Sequence, residues 1–382
     1  MNVKIQMVDL KSQHANIKSE LDNAIQKVIE SSVFIKGHEV ATFENELASY
    51  LGVKHVIGCG NGTDAIQIAL MALGLEKGDE VIVPAFTYPA AIEVILLLGL
   101  KPIMVDIDIQ NYNLDIHKIE SKITNRTKAI IPVHLFGQSA EMDVIVQIAK
   151  KYNLFIIEDN AQSLGTVYTF SNGDRERTGT IGNIGTTSFF PSKNLGCMGD
   201  GGAIMTNDDE LARKIRMIAN HGQKELYVHE MIGVNSRLDS LQAAILRVKL
   251  KHLDSYEAKR NAAAKHYDSY FENNEYVKIP FRNSYSTHVF HQYTISLSKK
   301  VDRSKLRKYL LDNGIQSMVY YPTVACNQLA YLSVRNNIND FPMSELAAQS
   351  VLSLPIHTEM DETLLKEICT TVTGGLSAQG LL

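Results

Sequence analysis

Lys193 is the lone charge in the half-apolar run Ser188-Phe189-Phe190-Pro191-Ser192-Lys193-Asn194-Leu195-Gly196, and Gly199, Gly201 and Gly202 follow closely. An amine in a dry pocket is costly in its ordinary form. Holding a lysine of pKa ~10.4 neutral near pH 7 costs roughly 4–5 kcal/mol, at about 1.36 kcal/mol per unit. Condensation with an aldehyde removes that cost, because the imine has its own, lower pKa. The plainer reading of Lys193 is a surface lysine in a loop, and this run alone does not decide between the two.

Other segments carry candidate chemistry. Cys59-Gly60-Asn61-Gly62-Thr63-Asp64-Ala65 follows a strand-like run and opens a helical one. Free N–H groups and the positive helix end make such a turn an anion site, to which the Thr63 hydroxyl adds a donor. Gly and Asn also serve simply as turn and cap residues there. Gly58-Cys59-Gly60 begins a dinucleotide fingerprint, but Thr63 stands where its last glycine belongs, and no GxxxxGK[ST] run occurs. Asp159 ends the apolar run Leu154–Ile157 within Glu158-Asp159-Asn160-Ala161-Gln162. A carboxylate at a strand end either caps the next turn or faces the ligand crevice. In the crevice it would hold the ring nitrogen of pyridoxal phosphate protonated, which makes that ring an electron sink, and Gln162 is placed to bond the ring hydroxyl. Tyr88, after Pro84-Ala85-Phe86-Thr87, suits stacking on a planar ring or plain core packing. Asn235 and Arg237 alternate and face one side of an extended segment. Arg237 suits a carboxylate or diphosphate, or a salt bridge to Asp239 or Glu230. An anion cradle, an aromatic, a strand-end acid and then a lysine, all at strand ends, together favour a pyridoxal phosphate site over separate accidents.

The elements that position these residues alternate. Short β-branched runs (His55–Cys59, Glu80–Val83, Pro102–Asp106, Ala129–Val133, Leu154–Glu158, Thr186–Phe190, Gly202–Thr206) are separated by amphipathic stretches such as Asp64–Leu73, Ala90–Leu98 and Met142–Tyr152. That pattern predicts an α/β fold with a mostly parallel sheet covered on both faces, and ligands beyond the strands' carboxyl ends. Residues 13–30 have helical spacing, and Leu241–Tyr267 predicts one long helix. His288–Leu297 and Ile315–Tyr321 read as strands around a helix over Arg303–Leu311, giving a smaller α+β unit. We therefore divide the chain into a large domain over 1–245 and a small C-terminal domain over 246–382, with Gly374–Leu382 frayed.

Composition narrows the partners. The 382 residues are 45% hydrophobic with a net charge of −4, acids and bases interspersed, which speaks against nucleic acid. No apolar run approaches the roughly 18 residues of a membrane span, and the first residues lack an apolar signal core. Cys59, Cys197, Cys326 and Cys369 form no CxxC pair, so neither a metal site nor a disulfide framework is expected, and a reducing cytoplasm fits.

The motifs occur in a familiar order. With Gly199-Asp200-Gly201-Gly202-Ala203 and Asn235-Ser236-Arg237-Leu238-Asp239 added, the chain resembles the DegT/DnrJ-type nucleotide-sugar aminotransferases, from Val8-Asp9-Leu10 to Leu354-Pro355-Ile356-His357. The resemblance implies an aspartate aminotransferase-like (fold type I) large domain and pyridoxal phosphate as cofactor. It implies Lys193 as the imine-forming lysine, Asp159 as the pyridinium partner and Gln162 at the ring hydroxyl. Gly62, Thr63 and Ser188 become the phosphate cradle and Tyr88 the stacking aromatic. Asn235 becomes the residue that reaches the partner's phosphate in a homodimer, and Arg237 and Tyr321 become substrate contacts. Three positions depart from many relatives: Leu164 for His, Ala91 for Thr, and Tyr320-Tyr321-Pro322 for His-Tyr-Pro. They bear on the substrate, not the cofactor. Relatives without the lysine are dehydratases, so its presence favours transamination from glutamate. His221-Gly222-Gln223, Tyr227 and His229 are similar to enzymes that aminate UDP-2-acetamido-2-deoxy-3-oxo-glucuronate for surface polysaccharides such as lipopolysaccharide O-antigen. The Asn235–Asp239 run is also usual in enzymes of dTDP-3-oxo-6-deoxyhexoses. A C4 ketosugar and a non-catalytic, cofactor-bound sensor are the remaining alternatives.

Overall fold

The computed structural model describes residues 3–334 and 340–381. Seven strands form the central sheet: β1 His55–Cys59, β2 Glu80–Pro84, β3 Lys101–Val105, β4 Thr127–Ile130, β5 Phe155–Asp159, β6 Ile184–Ser188 and β7 Gly202–Thr206. Their order is β1-β7-β6-β5-β4-β2-β3. β2 runs parallel to β3 and β4, β4 to β5 and β5 to β6, whereas β7 is antiparallel to both its neighbours. Every residue of β2 and β7 is buried, as continuous Val/Ile runs covered on both faces should be. Fully burying each of Val81, Ile82 and Val83 contributes roughly 1.5–3 kcal/mol.

The helices are α1 Leu10–Asn16, α2 Lys18–Ser31, α3 His38–Leu51, α4 Gly62–Ala72, α5 Ala90–Leu97, α6 Met142–Tyr152, α7 Asp209–Ile218, α8 Ser240–Leu250, α9 Leu253–Phe271, α10 Arg303–Asp312, α11 Pro342–Ser350 and α12 Glu362–Ser377. A second antiparallel sheet joins β8 Val277–Lys278, β9 Tyr293–Leu297 and β10 Val351–Leu354. Its core includes Tyr267, Phe271, Leu306, Leu310 and Leu376, and Ile5 joins it from the start of the chain. Among the described residues no helix is long and apolar enough to cross a membrane.

Several expected boundaries move. The helix expected over 13–30 breaks at Ile17, which caps both α1 and α2 and buries its side chain against Leu21, Ile245 and Val248. The helix expected over Leu241–Tyr267 is two, because its halves serve different cores. Ala243 and Leu246 of α8 pack beside Leu47 and Phe189, while Ala263, Ala264 and Tyr267 of α9 pack under the small sheet. Ile315–Tyr321 makes only isolated bridges, Ile5 with Ile315 and Met318 with Ser353. Of His288–Leu297 only Tyr293–Leu297 joins the small sheet, since His288 bridges Gln138 of the large unit instead. β10, unforeseen in the sequence, fills the place beside β9. The expected fraying begins too early. α12 runs on to Ser377 with Leu376 fully buried, because Gly374 and Gly375 let it approach Tyr309 and Leu306 closely; Leu382 lies outside the described residues.

Candidate active site

Strand register brings the candidates to one edge. Gly202 of β7 pairs with Cys59 on one side and Ser188 on the other, and Asp159 pairs with Thr186. The ends of β1, β6 and β5 therefore lie in a row. The turn from β1 into α4 closes on that row because two positions lack a side chain. A Cβ on Gly202 would fall 2.5 Å from the Asn61 carbonyl, and one on Gly62 would fall 2.7 Å from Ser188 Cβ. Asn61 caps α4 by accepting the Asp64 N–H at 2.8 Å. That leaves the Gly62 and Thr63 amides at the positive end of the helix, beside the Ser188 hydroxyl. Among the described residues Ser188 Oγ accepts the Phe190 N–H, at 3.3 Å, and donates to none, which leaves its proton for an anion. This cradle fits a phosphate group.

Asp159 ends β5 and accepts the Ala161 N–H at 3.1 Å. Burial raises its pKa, opposed by that bond and by the charges of Lys193 and His134. Lys193 shows the complementary effect: burial lowers its ammonium to about 8, with Asp159 opposing. An amine so poised is available as a nucleophile and proton carrier near neutral pH. Gln162 is buried; its Oε1 accepts the Phe136 N–H at 2.9 Å, which turns Nε2 to donate to the Tyr321 hydroxyl at 3.1 Å. Tyr321 also packs on Phe86 and Tyr88, ring centroids 5.8 and 6.3 Å away. Tyr88 is 59% exposed, so it is not core, and its ring is available to a planar ligand.

Lys193, Asp159, Gln162, Tyr321 and Tyr88 thus neighbour one another, with Gly62, Thr63 and Ser188 along the same strand edge. A phosphate cradle, a buried carboxylate and an amine of lowered pKa fit pyridoxal phosphate, whose phosphate, ring nitrogen and aldehyde need those three groups.

Asn235 and Arg237 stand apart. Ser236, between them, accepts the Gly60 N–H at 2.8 Å and ties their segment to the cradle turn. Asn235 is exposed. Arg237 lines a separate hollow of about 320 Å³ with Lys36, Glu44 and Arg216. Its Nε is buried without a partner; among the described residues Arg237 makes no salt bridge to Asp239 or Glu230, and Glu230 pairs with Lys224 and Arg213 instead.

Sequence reasoning passed over the support beneath Asp159. Glu158 points to the opposite face of β5 and accepts four donors: His134 Nε2 at 2.9 Å and the N–H groups of Gly179, Ile181 and Gly182 at 2.8, 2.7 and 2.7 Å. His134 Nδ1 accepts the Ala140 N–H at 3.1 Å, so Nε2 carries the proton. Strand alternation was the available signal, since a Glu beside an inward Asp must find buried donors. His291 was also missed. It is buried with Nδ1 unpartnered, and the charge of Lys193 helps to lower its pKa.

The DegT/DnrJ/EryC1/StrS aminotransferase family matches residues 15–373. The UDP-2-acetamido-2-deoxy-3-oxo-D-glucuronate aminotransferase of Pseudomonas aeruginosa is 45% identical over 97% of this chain and 99% of its own. A pleiotropic regulatory protein of Geobacillus stearothermophilus is 45% identical over 94% of this chain and 95% of its own. Among solved structures, S. venezuelae DesV in complex with a ketimine intermediate superposes with a TM-score of 0.93 at 37% identity, covering 98% of both chains.

Proposed function

Because the chain belongs to the DegT/DnrJ/EryC1/StrS aminotransferase family, we propose that it moves an amino group from glutamate to the C3 keto carbon of a UDP-linked sugar of the 2-acetamido-2-deoxy-3-oxo-glucuronate type, toward bacterial surface polysaccharide. Its fold is that of fold type I aminotransferases and its cofactor is pyridoxal phosphate. The observation that carries the chemistry is that Lys193 and Asp159, both partly buried, lie within reach of each other's charge. The observation that favours the sugar is the likeness to the P. aeruginosa relative along nearly its whole length.

When bound, pyridoxal phosphate supplies an aldehyde and an electron sink. Lys193 Nζ would hold the aldehyde and, as a free amine, would carry a proton from the donor carbon, acting as base and then acid. Asp159 holds a proton on the ring nitrogen. Gly62, Thr63 and Ser188 bind the phosphate, Tyr88 covers the ring, and Gln162 with Tyr321 orients the groups beside it. Asn235 serves a second copy of the chain, and Arg237 contacts the substrate. The exposed apolar residues Val33, Phe34, Ile35, Leu226, Tyr227 and Ile232, which flank the Arg237 segment and its hollow, support that homodimer.

The test runs the reaction backward. The enzyme is mixed with 2-oxoglutarate and a panel of UDP- and dTDP-linked 3-amino and 4-amino sugars, and glutamate is measured. Release from a UDP-3-amino sugar is expected. Release only from a dTDP sugar or a 4-amino sugar would overturn the substrate assignment. The regulatory relative favours one other reading, a cofactor-bound sensor; it would be supported if glutamate left the cofactor spectrum unchanged.

A further inference from the structure

Lys249 of α8 lies where water is shut out, 1% exposed. Its Nζ donates to the Gly196 carbonyl at 2.7 Å and meets His14 Nε2, on α1, at 2.9 Å. Both partners are neutral acceptors, and no carboxylate pairs with this ammonium among the described residues. A buried cation without a counter-charge is destabilising, and burial lowers its pKa to about 8. A methionine would fill the same space without that penalty, so the position of the charge calls for an explanation.

Gly196 ends the turn that presents Lys193. The Lys193 N–H donates to the Phe190 carbonyl at 2.8 Å, and the Cys197 N–H closes the turn on the Phe189 carbonyl at 2.8 Å. Residue 196 packs so tightly that a Cβ would lie 2.4 Å from the Pro191 carbonyl oxygen. One step further on, Gln242 of α8 grips Met198 from both sides, accepting its N–H at 2.8 Å and donating to its carbonyl at 3.1 Å. Gln242 and Lys249 stand two turns apart on one face of the same helix. A loop would otherwise be the most mobile support for a reacting amine, and here one helix fixes it at two points.

We propose that Lys249 is a positioning residue for Lys193: together with Gln242 it pins the turn over 189–198 to α8 and so keeps the Lys193 amine in its largely water-shielded position. α8 begins directly after Asp239, so one rigid element also sets the segment carrying Asn235 and Arg237. The inference rests on Lys193 being the amine that engages the cofactor.

The experiment labels amines of the full-length, cofactor-free protein with acetic anhydride across a pH series and follows Lys193 by peptide mass spectrometry. Wild-type Lys193 is expected to reach half-maximal reactivity near pH 8. Lys249→Met should raise that midpoint by about one unit or more, because a loosened turn lets water back to the amine. Gln242→Ala, which leaves the buried charge untouched, should raise it by less. Wild-type midpoints in both variants would overturn the proposal. Should Lys249→Met not fold, Gln242→Ala decides alone: a rise supports the positioning role and no rise overturns it. A separate measurement guards the premise. Borohydride reduction of the cofactor-loaded wild type must fix the cofactor to Lys193, and fixation to another lysine would sink that reading whatever the labelling shows.

Discussion

Ser188 and Gly62 meet so closely that a Cβ on residue 62 would lie 2.7 Å from that of Ser188. Ser188 ends β6 and Gly62 opens α4 just after β1, so they meet from opposite sides of β7, and they touch only because Gly202 between them also lacks a side chain. The cradle is therefore a property of three positions acting together. Gly62→Ala should push the turn off Ser188, at a stability cost on the order of 1–3 kcal/mol for overpacking. Affinity for pyridoxal phosphate should fall roughly 10- to 100-fold, about 1.4–2.8 kcal/mol. Pyridoxal, which lacks the phosphate, should bind the variant as it binds wild type. Equal losses for both ligands in a titration would show that the cradle does not hold the phosphate.

Glu158 tests the support beneath the site. Its carboxylate takes four donors, three of them backbone amides. Glu158→Gln sets an amide NH₂ against at least one of those N–H groups and removes the charge. A loss of roughly 2–3 kcal/mol is expected, because buried N–H donors lose their acceptor, read from the urea midpoint. A variant within ~1 kcal/mol of wild type would mean the network is not what holds Asp159's strand.

A substitution at Tyr321 should separate the two half-reactions. Its hydroxyl accepts from Gln162 Nε2 at 3.1 Å. Tyr321→Phe should cost only about 1 kcal/mol of stability, and kcat/KM for the ketosugar should drop on the order of 10- to 100-fold. The glutamate half-reaction, followed in single turnovers, should stay near wild type. If both halves slow equally, Tyr321 serves the cofactor and not the sugar.

Much of this was legible in the residues, and the limits are physical. β2 and β5 announce themselves because strands buried on both faces are largely apolar runs, and the rule that ligands sit at their carboxyl ends then finds Asp159; β6, Ile-Gly-Thr-Thr-Ser, has no such run and sits two residues earlier than the expected Thr186–Phe190. What escaped depends on contacts between distant segments. Nothing local to Lys249 says that its ammonium ends on the Gly196 carbonyl. Ile17 has helical spacing with its neighbours, and only packing against α8 reveals the break there. Tyr88 shows the reverse case: core packing was the stronger local reading for an aromatic at a strand end, and tertiary structure leaves it open to solvent.

The lowered pKa of Lys193 has a consequence for stability that can be signed. In the unfolded chain a lysine titrates near ~10.4; in the folded chain burial brings Lys193 to about 8. Between those values the unfolded chain binds the extra proton, so stability rises with pH across that interval, and below about pH 8 the penalty is fully present. At about 1.36 kcal/mol per unit the penalty reaches on the order of 1–3 kcal/mol, the lower end applying because Lys193 keeps some solvent contact. Cofactor-free Lys193→Met should therefore be more stable than cofactor-free wild type at pH 7, and the gap should narrow as pH rises toward 10. Lys249 titrates in the same range and the buried tyrosines act in the opposite sense at higher pH, but both proteins contain them, so they cancel in the difference. Urea midpoints of the two proteins at pH 7 and pH 9.5 measure it. A gap that does not change with pH would mean that the variant gains only apolar packing, and that the Lys193 ammonium is not held against its ordinary charge.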